Sequence, residues 1–217
     1  MDVYDAIIIG GGIAGINTAL NLSKKHKILL LDERRYWGGR IHTNYRPQYE
    51  IGAARFNSSH KLLMKLIYEY NLTPIELSQE MNYKDKNTGE LICNANEVLD
   101  KYFTHIIKTS KKYTHEYLLS ITLYEFMIEI MDRDIANRIV NMFGYNSEIK
   151  KMNAYDAIQV FKKDFVNTKY YILKEGLTRL CNLMITKSKL QGARCLNNQR
   201  VTGVLKHSKN MYHVITD

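Results

Sequence analysis

Two short apolar runs frame the start of the chain: Tyr4 to Ile9 (YDAIII) and Lys27 to Leu31 (KILLL). Each is too short for a helix, and the first is rich in β-branched residues and bounded by glycines, so both predict buried parallel strands. Between them Ile13, Ile16, Ala19 and Leu20 recur at helical spacing through about Lys24, with Lys24 and Lys25 placed to close the helix where its dipole is negative. From Arg34 to Tyr49 the pattern is loop-like, broken by Gly38-Gly39 and Pro47. Helical spacing returns at Leu62, Leu63, Leu66, Ile67 and Tyr70, with Ser58 or Ser59 as the cap, and a strand is expected around Pro74 to Leu77. Tyr83 and Ile92 flank the turn signal Asp85-Lys86-Asn87-Thr88-Gly89, which predicts a hairpin. Residues 95 to about 163 read as three or four helices, with Gly144 the clearest break. After Tyr170-Tyr171-Ile172, Gly176 to Ser188 reads as an amphipathic helix, and Arg200–Lys206 with Tyr212–Thr216 as a second hairpin.

Composition narrows the classes. With 217 residues, 45% hydrophobic and 24% charged, the chain is a folded globular one of one large or two small domains. The net charge of +9 is moderate. Nucleic-acid binding would need basic residues gathered on one face with aromatics to stack on, and the densest run, Lys108 to Lys112, reads as a solvated helix face instead. Cys93, Cys181 and Cys195 are odd in number and form no CxxC pair, which argues against a disulfide framework or a cysteine zinc site and suits a reducing, cytoplasmic setting. The longest apolar run, Ala6 to Ile16, contains four glycines and falls far short of the roughly 20 residues of a membrane span. Asp2 and Asp5 stand where a secretory signal would be basic. His207 and His213 lack an acidic partner at ligand spacing, so no metal site is expected, and neither GxSxG nor HExxH occurs.

The chemistry-bearing motif is Gly10-Gly11-Gly12-Ile13-Ala14-Gly15, which follows the first strand and opens the helix, with Asp32 ending the next strand 20 residues beyond Gly12. That is the spacing of a Rossmann dinucleotide fingerprint. Gly10 permits the tight turn, Gly12 lets the backbone approach a pyrophosphate, and Gly15 lets helix and strand pack closely. The helix N-terminus offers its N–H groups to the phosphates. Asp32 would accept hydrogen bonds from the adenosine ribose. The fingerprint by itself does not separate FAD from NAD.

The next stretch, Asp32-Glu33-Arg34-Arg35-Tyr36-Trp37-Gly38-Gly39-Arg40, resembles the segment by which flavin-containing amine oxidases continue their FAD site, an acidic residue followed at fixed distance by Gly-Gly-Arg. Asp32 stands where Glu is commoner. The resemblance implies non-covalent FAD, held by Gly10 to Gly15, Asp32, Glu33, Arg34, Gly39 and Arg40. In it Arg40 reaches the pyrophosphate and Arg34 lies near the adenosine. A planar, always-charged fork suits phosphate. Tyr49 to Phe56 resembles the family's next strand, in which Gly52, Ala53 and Ala54 let the isoalloxazine ring lie against backbone. Gly52 through His60 to Ser78-Gln79-Glu80 is most similar to the L-amino-acid oxidase branch. There Arg55 occupies the place of an arginine that clamps the substrate carboxylate, a bidentate contact that orients an amino acid. Arg55 is also counted with the residues lining the cofactor, and pairing with a nearby acid such as Glu50 is the alternative reading. Asn57-Ser58 follow where that branch has a proline. Lys174 to Leu180 and Leu196 to Val201 resemble the return to the FAD domain, with the Val201 main chain at the adenine or, equally, as a plain strand valine.

The expected architecture is therefore α/β: a Rossmann-like FAD-binding domain over residues 1–78 and 169–217, with a mainly helical substrate-type subdomain inserted over 79–168. The family's chains run to more than twice this length, so the expectation is an N-terminal portion cut short of the flavin-completing half. A complete enzyme of this kind moves a hydride from an amine C–H to flavin, with O₂ as reoxidant and an amine or amino acid as substrate. Rival expectations are a carotenoid-desaturase-like or protoporphyrinogen-oxidase-like flavoprotein, and a catalytically silent FAD-binding or assembly protein. An unfinished sheet would leave an edge open to a second polypeptide or to self-association.

Overall fold

The computed structural model describes residues 2–78, 83–84, 88–92, 95–164 and 169–217. They fall into two units, the first comprising Met1–Phe56, His60–Glu76 and Tyr171–Asp217, the second Asn57–Ser59 and Leu77–Tyr170.

In the first unit, β1 (Ala6–Ile9) leads through the glycine turn into α1 (Ile13–Leu22) and back to β2 (Ile28–Leu31). β1 and β2 pair in parallel, Ala6 opposite Ile28 through Ile9 opposite Leu31. β3 (Thr43–Tyr45) and β4 (Gln48–Glu50) form an antiparallel hairpin in the stretch read as loop, around a cis Arg46–Pro47 peptide. After β5 (Phe56–Asn57), α2 (Lys61–Glu69) leads to β6 (Pro74–Glu76).

The second unit holds β7 (Tyr83–Lys84), which pairs with β8 (Leu91–Ile92), and then α3 (Ala95–Ser110), α4 (His115–Ser120), α5 (Leu123–Ile130), α6 (Arg133–Phe143), α7 (Asn146–Lys150) and α8 (Ala154–Asp164). Its core is built on Phe103, Phe143 and Phe161, whose rings meet at 4.4–5.5 Å. Six helices replace the expected three or four because side-chain caps divide the block. Thr114 caps α4, Thr122 and Glu125 form a capping box on α5, and the Asp132 carboxylate accepts from Asp134 N–H at the start of α6. Gly144 ends α6 in the left-handed region, as its position suggested.

The chain then re-enters the first unit through β9 (Tyr170–Leu173), which lies between β5 and β6 and runs antiparallel to β6. α9 (Leu177–Leu190), β10 (Arg194–Leu196) and the hairpin β11 (Val201–Ser208) and β12 (Met211–Thr216) complete it. β10, which the apolar pattern did not announce, pairs in parallel with β2, giving the order β1-β2-β10. Ile16, Ala19, Leu20, Ile28, Leu30, Leu180, Cys181 and Met184 form the buried layer between that sheet and the helices α1 and α9.

Several local expectations need correction. β1 is not a fully buried strand: it is a sheet edge, and Ile9 is 54% exposed. α1 stops at Leu22 with Ser23 as its C-cap, so Lys24 and Lys25 lie beyond it. Neither Ser58 nor Ser59 caps α2, whose N-cap is His60. The Asn57 amide oxygen instead accepts from both Ser59 N–H and Ser59 O–H. Residues 51–55 form no strand. Cys93, Gln79, Glu80 and the turn residues 85–87 lie outside the described residues.

Candidate functional site

The site is built around the turn between β1 and α1. Gly10 takes φ +105°, the left-handed geometry that lets the chain leave β1. A Cβ at Gly15 would lie 2.0 Å from the Gly10 carbonyl oxygen, so only glycine allows the helix this close to the turn. Gly12 differs. Its backbone (φ −72°, ψ 174°) suits any residue, and a Cβ there meets no protein atom within 4 Å. Among the described residues nothing asks for glycine at position 12; an external group lying on that backbone would.

What faces this space suits an anion. α1 has no side-chain cap and no acidic residue in its first turn, and its first helical hydrogen bond runs from Ile16 N–H to Gly12. The N–H groups of Ile13, Ala14 and Gly15 are therefore left for a ligand at the positive end of the dipole. Charge agrees at larger scale. Of 31 Lys+Arg and 22 Asp+Glu in the chain, the helical unit holds 13 and 13, so the remaining 18 and 9 put the entire +9 on the first unit.

Asp32 directly follows β2 and is buried, and its carboxylate accepts from Gly11 N–H at 2.6 Å and Arg34 N–H at 2.7 Å. It thus ties the glycine turn to the following loop, each oxygen retaining a second acceptor direction. Trp37, unnoticed in the sequence reading beyond its place in the segment, fills the space where a Gly11 Cβ would be, 2.4 Å from its ring. Gly38 N–H donates to Gly11 oxygen at 2.8 Å, and the Gly38-Gly39 pair lies along Gly11-Gly12, with a Cβ at Gly39 falling 3.1 Å from the Gly12 Cα. Arg34 folds back to donate to the Gly39 carbonyl at 2.9 Å and covers the Tyr36 ring. Glu33 is exposed and 4.0 Å from Arg200. Arg40 is exposed, and among the described residues its guanidinium has no partner.

From Arg40 the backbone runs directly to the second predicted segment. Ala53 N–H donates to the Arg40 carbonyl at 3.1 Å, and a Cβ at Gly52 would lie 1.7 Å from that same oxygen. Gly10 to Gly15, Asp32, Arg34, Gly39, Arg40, Gly52 and Ala53 therefore form one continuous belt. Ala54 and Arg55 continue it at the surface. Val201 opens β11, opposite Thr216. Glu50 carries a role that sequence reading missed: its carboxylate accepts from Thr43 O–H and from Leu177 N–H, both at 2.8 Å.

Burial pushes the Cys181 thiol, below Gly38, up to about 12, and raises that of Cys195. Neither is a nucleophile at neutral pH. His207 and His213 stack at 4.5 Å. Among the described residues no group of three or more His, Cys, Asp or Glu is placed to hold a metal, and no helix is long and apolar enough to cross a membrane.

Residues 8–70 match the family model described as an NAD(P)-binding Rossmann-like domain. Putrescine oxidase, in a structure bound to putrescine, superposes with a TM-score of 0.73 at 18% identity over 99% of this chain and 55% of its own. Cyclohexylamine oxidase from Brevibacterium oxydans IH-35A gives 0.72 at 16% identity, over 100% and 55%. The chain shares its fold with these two oxidases over the part of each that it covers. A 1-hydroxycarotenoid 3,4-desaturase from Flavobacterium sp. (strain P99-3) is 36% identical over 87 residues, 39% of this chain and 17% of its own length. The chain thus spans about half the length of the solved oxidases and less of the curated relative.

Proposed function

We propose that the first unit binds FAD non-covalently and belongs to an oxidoreductase of the amine oxidase kind. The observation that carries this is Gly12, a glycine that neither its backbone nor any neighbouring atom demands, beside helix N–H groups left for an anion. Bound there, FAD supplies the hydride acceptor for oxidation of an amine C–H, with O₂ as reoxidant. The chain's own residues bind and orient it. The N–H groups of Ile13, Ala14 and Gly15 and the Arg40 guanidinium hold the pyrophosphate, while Asp32, assisted by Glu33 and Arg34, faces the adenosine ribose. Gly52, Ala53 and Ala54 give a backbone floor to the flavin ring, and the Val201 main chain meets the adenine. Arg55 would clamp the carboxylate of an amino-acid substrate, and the helical unit is the substrate-type subdomain. Two buried thiols suit a reducing, cytoplasmic setting.

Isothermal titration with FAD, NAD⁺ and NADP⁺ separates the cofactors. FAD should bind at least tenfold tighter than either nicotinamide nucleotide; the reverse order would overturn the FAD assignment. A carotenoid-desaturase-like flavoprotein is the second reading, favoured by the 36% identity over 87 residues. Amine turnover with no carotenoid turnover by the complete enzyme rejects it. Turnover of any substrate by the 217-residue chain rejects a silent binding protein.

β1 offers an apolar edge (AIII) with no charge or proline to protect it, and the β11–β12 hairpin exposes Val204, Leu205, Tyr212 and Ile215. Natural edges of this sort are covered. Pairing with further polypeptide, from a second chain or a second copy, completes them, and the chain alone should associate. A monodisperse monomer in sedimentation velocity would count against this.

A further inference from the structure

The hairpin β3–β4 carries the flavin-facing part of the belt at its open end. Its ladder runs from Thr43 opposite Glu50, through Ile51 N–H to His42 oxygen at 2.7 Å, to Ala53 N–H on Arg40 oxygen at 3.1 Å. A displacement of this hairpin therefore moves Arg40, Gly52 and Ala53 together.

The hairpin is pinned to the N-terminus of α9. Gly176, the N-cap, supplies no side-chain cap. The first two N–H groups of the helix are taken instead by residues more than a hundred positions away. Leu177 N–H donates to one Glu50 oxygen, and Thr178 N–H donates to Thr43 Oγ1 at 3.1 Å. Thr43 N–H in turn donates to Thr178 Oγ1 at 2.8 Å, and Thr43 O–H to the other Glu50 oxygen. A Cβ at Gly176 would sit 2.5 Å from the Thr43 methyl, so the fit leaves no slack. A carboxylate at a helix N-terminus is also favoured by the dipole. The same helix packs on α1, whose N-terminus holds the glycine turn. α9 is thus a common frame for the phosphate end of the belt and for its flavin end.

We propose that Glu50 is a positioning residue for the flavin ring: by locking β3–β4 to α9 it sets Arg40 and the Gly52–Ala53 backbone at a fixed distance from the glycine turn. The proposal rests on the FAD reading above. It predicts a division that a purely structural role lacks, because ADP carries the adenosine and phosphates but no flavin. Glu50→Gln keeps the side-chain size but leaves one acceptor oxygen for two donors, so the hairpin loosens while the glycine turn stays.

The test is calorimetric titration of the wild-type and Glu50→Gln chains with FAD and with ADP, alongside the visible spectrum of any bound FAD. The expected result is a tenfold or greater loss of FAD affinity, a clearly smaller loss for ADP, which shares only the Arg40 contact with the hairpin, and blurring of the bound-flavin band structure. Unchanged FAD affinity, or equal losses for FAD and ADP, overturns the proposal. If Glu50→Gln does not fold, Thr178→Val, which removes the acceptor for Thr43 N–H at constant volume, is judged by the same ratio. A wild-type chain that binds ADP and FAD equally tightly leaves no flavin contact to position and removes the proposal. One that binds neither refutes the cofactor reading itself.

Discussion

Gly12 and Gly15 are two members of one motif, three residues apart, and the structure gives only Gly15 a reason within the protein for being glycine. Gly12→Ala places a methyl where no protein atom lies within 4 Å, on a backbone that alanine adopts freely. Lowering the entropy of the unfolded chain favours the variant by about 0.4–1 kcal/mol. Alanine is a poorer N-cap than glycine by a similar amount, about 0.5–1 kcal/mol. The two effects nearly cancel, so the ligand-free variant should unfold within about 1 kcal/mol of wild type. Gly15→Ala instead drives a methyl to 2.0 Å from the Gly10 carbonyl oxygen, a backbone atom that cannot rotate away. Overpacking of this kind costs about 1–3 kcal/mol. A contact of 2.0 Å to backbone lies at the top of that range, about 3 kcal/mol, and the gain in helix propensity returns up to about 1 kcal/mol, leaving a net loss of about 2 kcal/mol or more. Urea unfolding of the ligand-free chains measures both, and FAD titration measures the other half. Gly12→Ala should lose at least tenfold in FAD affinity at unchanged stability, because its methyl would occupy the place proposed for the phosphate. If Gly12→Ala unfolds as easily as Gly15→Ala, or binds FAD like wild type, the reasoning that puts a ligand on Gly12 is wrong.

Asp32→Ala removes the proposed ribose acceptor, a charged hydrogen bond worth about 1.5–3 kcal/mol that should weaken FAD roughly ten- to a hundredfold, and also frees the Gly11 and Arg34 N–H donors; wild-type affinity in this variant refutes the role. Cys181, its thiol held up to about 12 by burial, should resist alkylation at pH 8 in the folded chain and react fully in guanidinium. Peptide mapping that finds it modified at equal rates in both states contradicts the packing under Gly38. The Lys187 ammonium, bonded to Glu69 at 2.7 Å, holds the Glu69 carboxyl below its ordinary value of 4.5. The folded state therefore favours the charged form. The stabilisation is present above that pH and fades as pH falls through the folded value. Both side chains are 41% exposed, so Glu69→Gln should cost only a few tenths of a kcal/mol at pH 7 and progressively less as pH falls below 4.5. A cost that grows toward acid reverses the sign and refutes the pairing.

The legible parts of the molecule are those whose causes lie close together in sequence. The βαβ unit follows from two apolar runs, one helical stripe and the glycines between them. The hairpins at 83–92 and 201–216 follow from alternating strands around turn residues. The Thr122–Glu125 capping box was also readable, and reading it would have raised the helix count. Contacts between distant residues were not. Glu50 and Leu177 are separated by 127 positions, and neither has any local feature that marks the bond. β10 is three residues of mixed character, Arg194-Cys195-Leu196, that become a strand only because β2 offers a free edge. Asp32 was read as a ribose acceptor, whereas its two shortest bonds go to Gly11 and Arg34 within the protein. Trp37 lies in a stretch with the pattern of a loop, and that Gly11 makes room for its ring emerges only once the loop folds back on the turn.

The central claim is that this chain holds a flavin dinucleotide on the turn between β1 and α1. The most direct test is the visible absorption spectrum of the purified 217-residue chain before and after saturation with FAD and desalting, with the released nucleotide identified after heating. The account predicts the two bands of oxidised flavin at close to one FAD per chain. A colourless protein that retains no added FAD would contradict it.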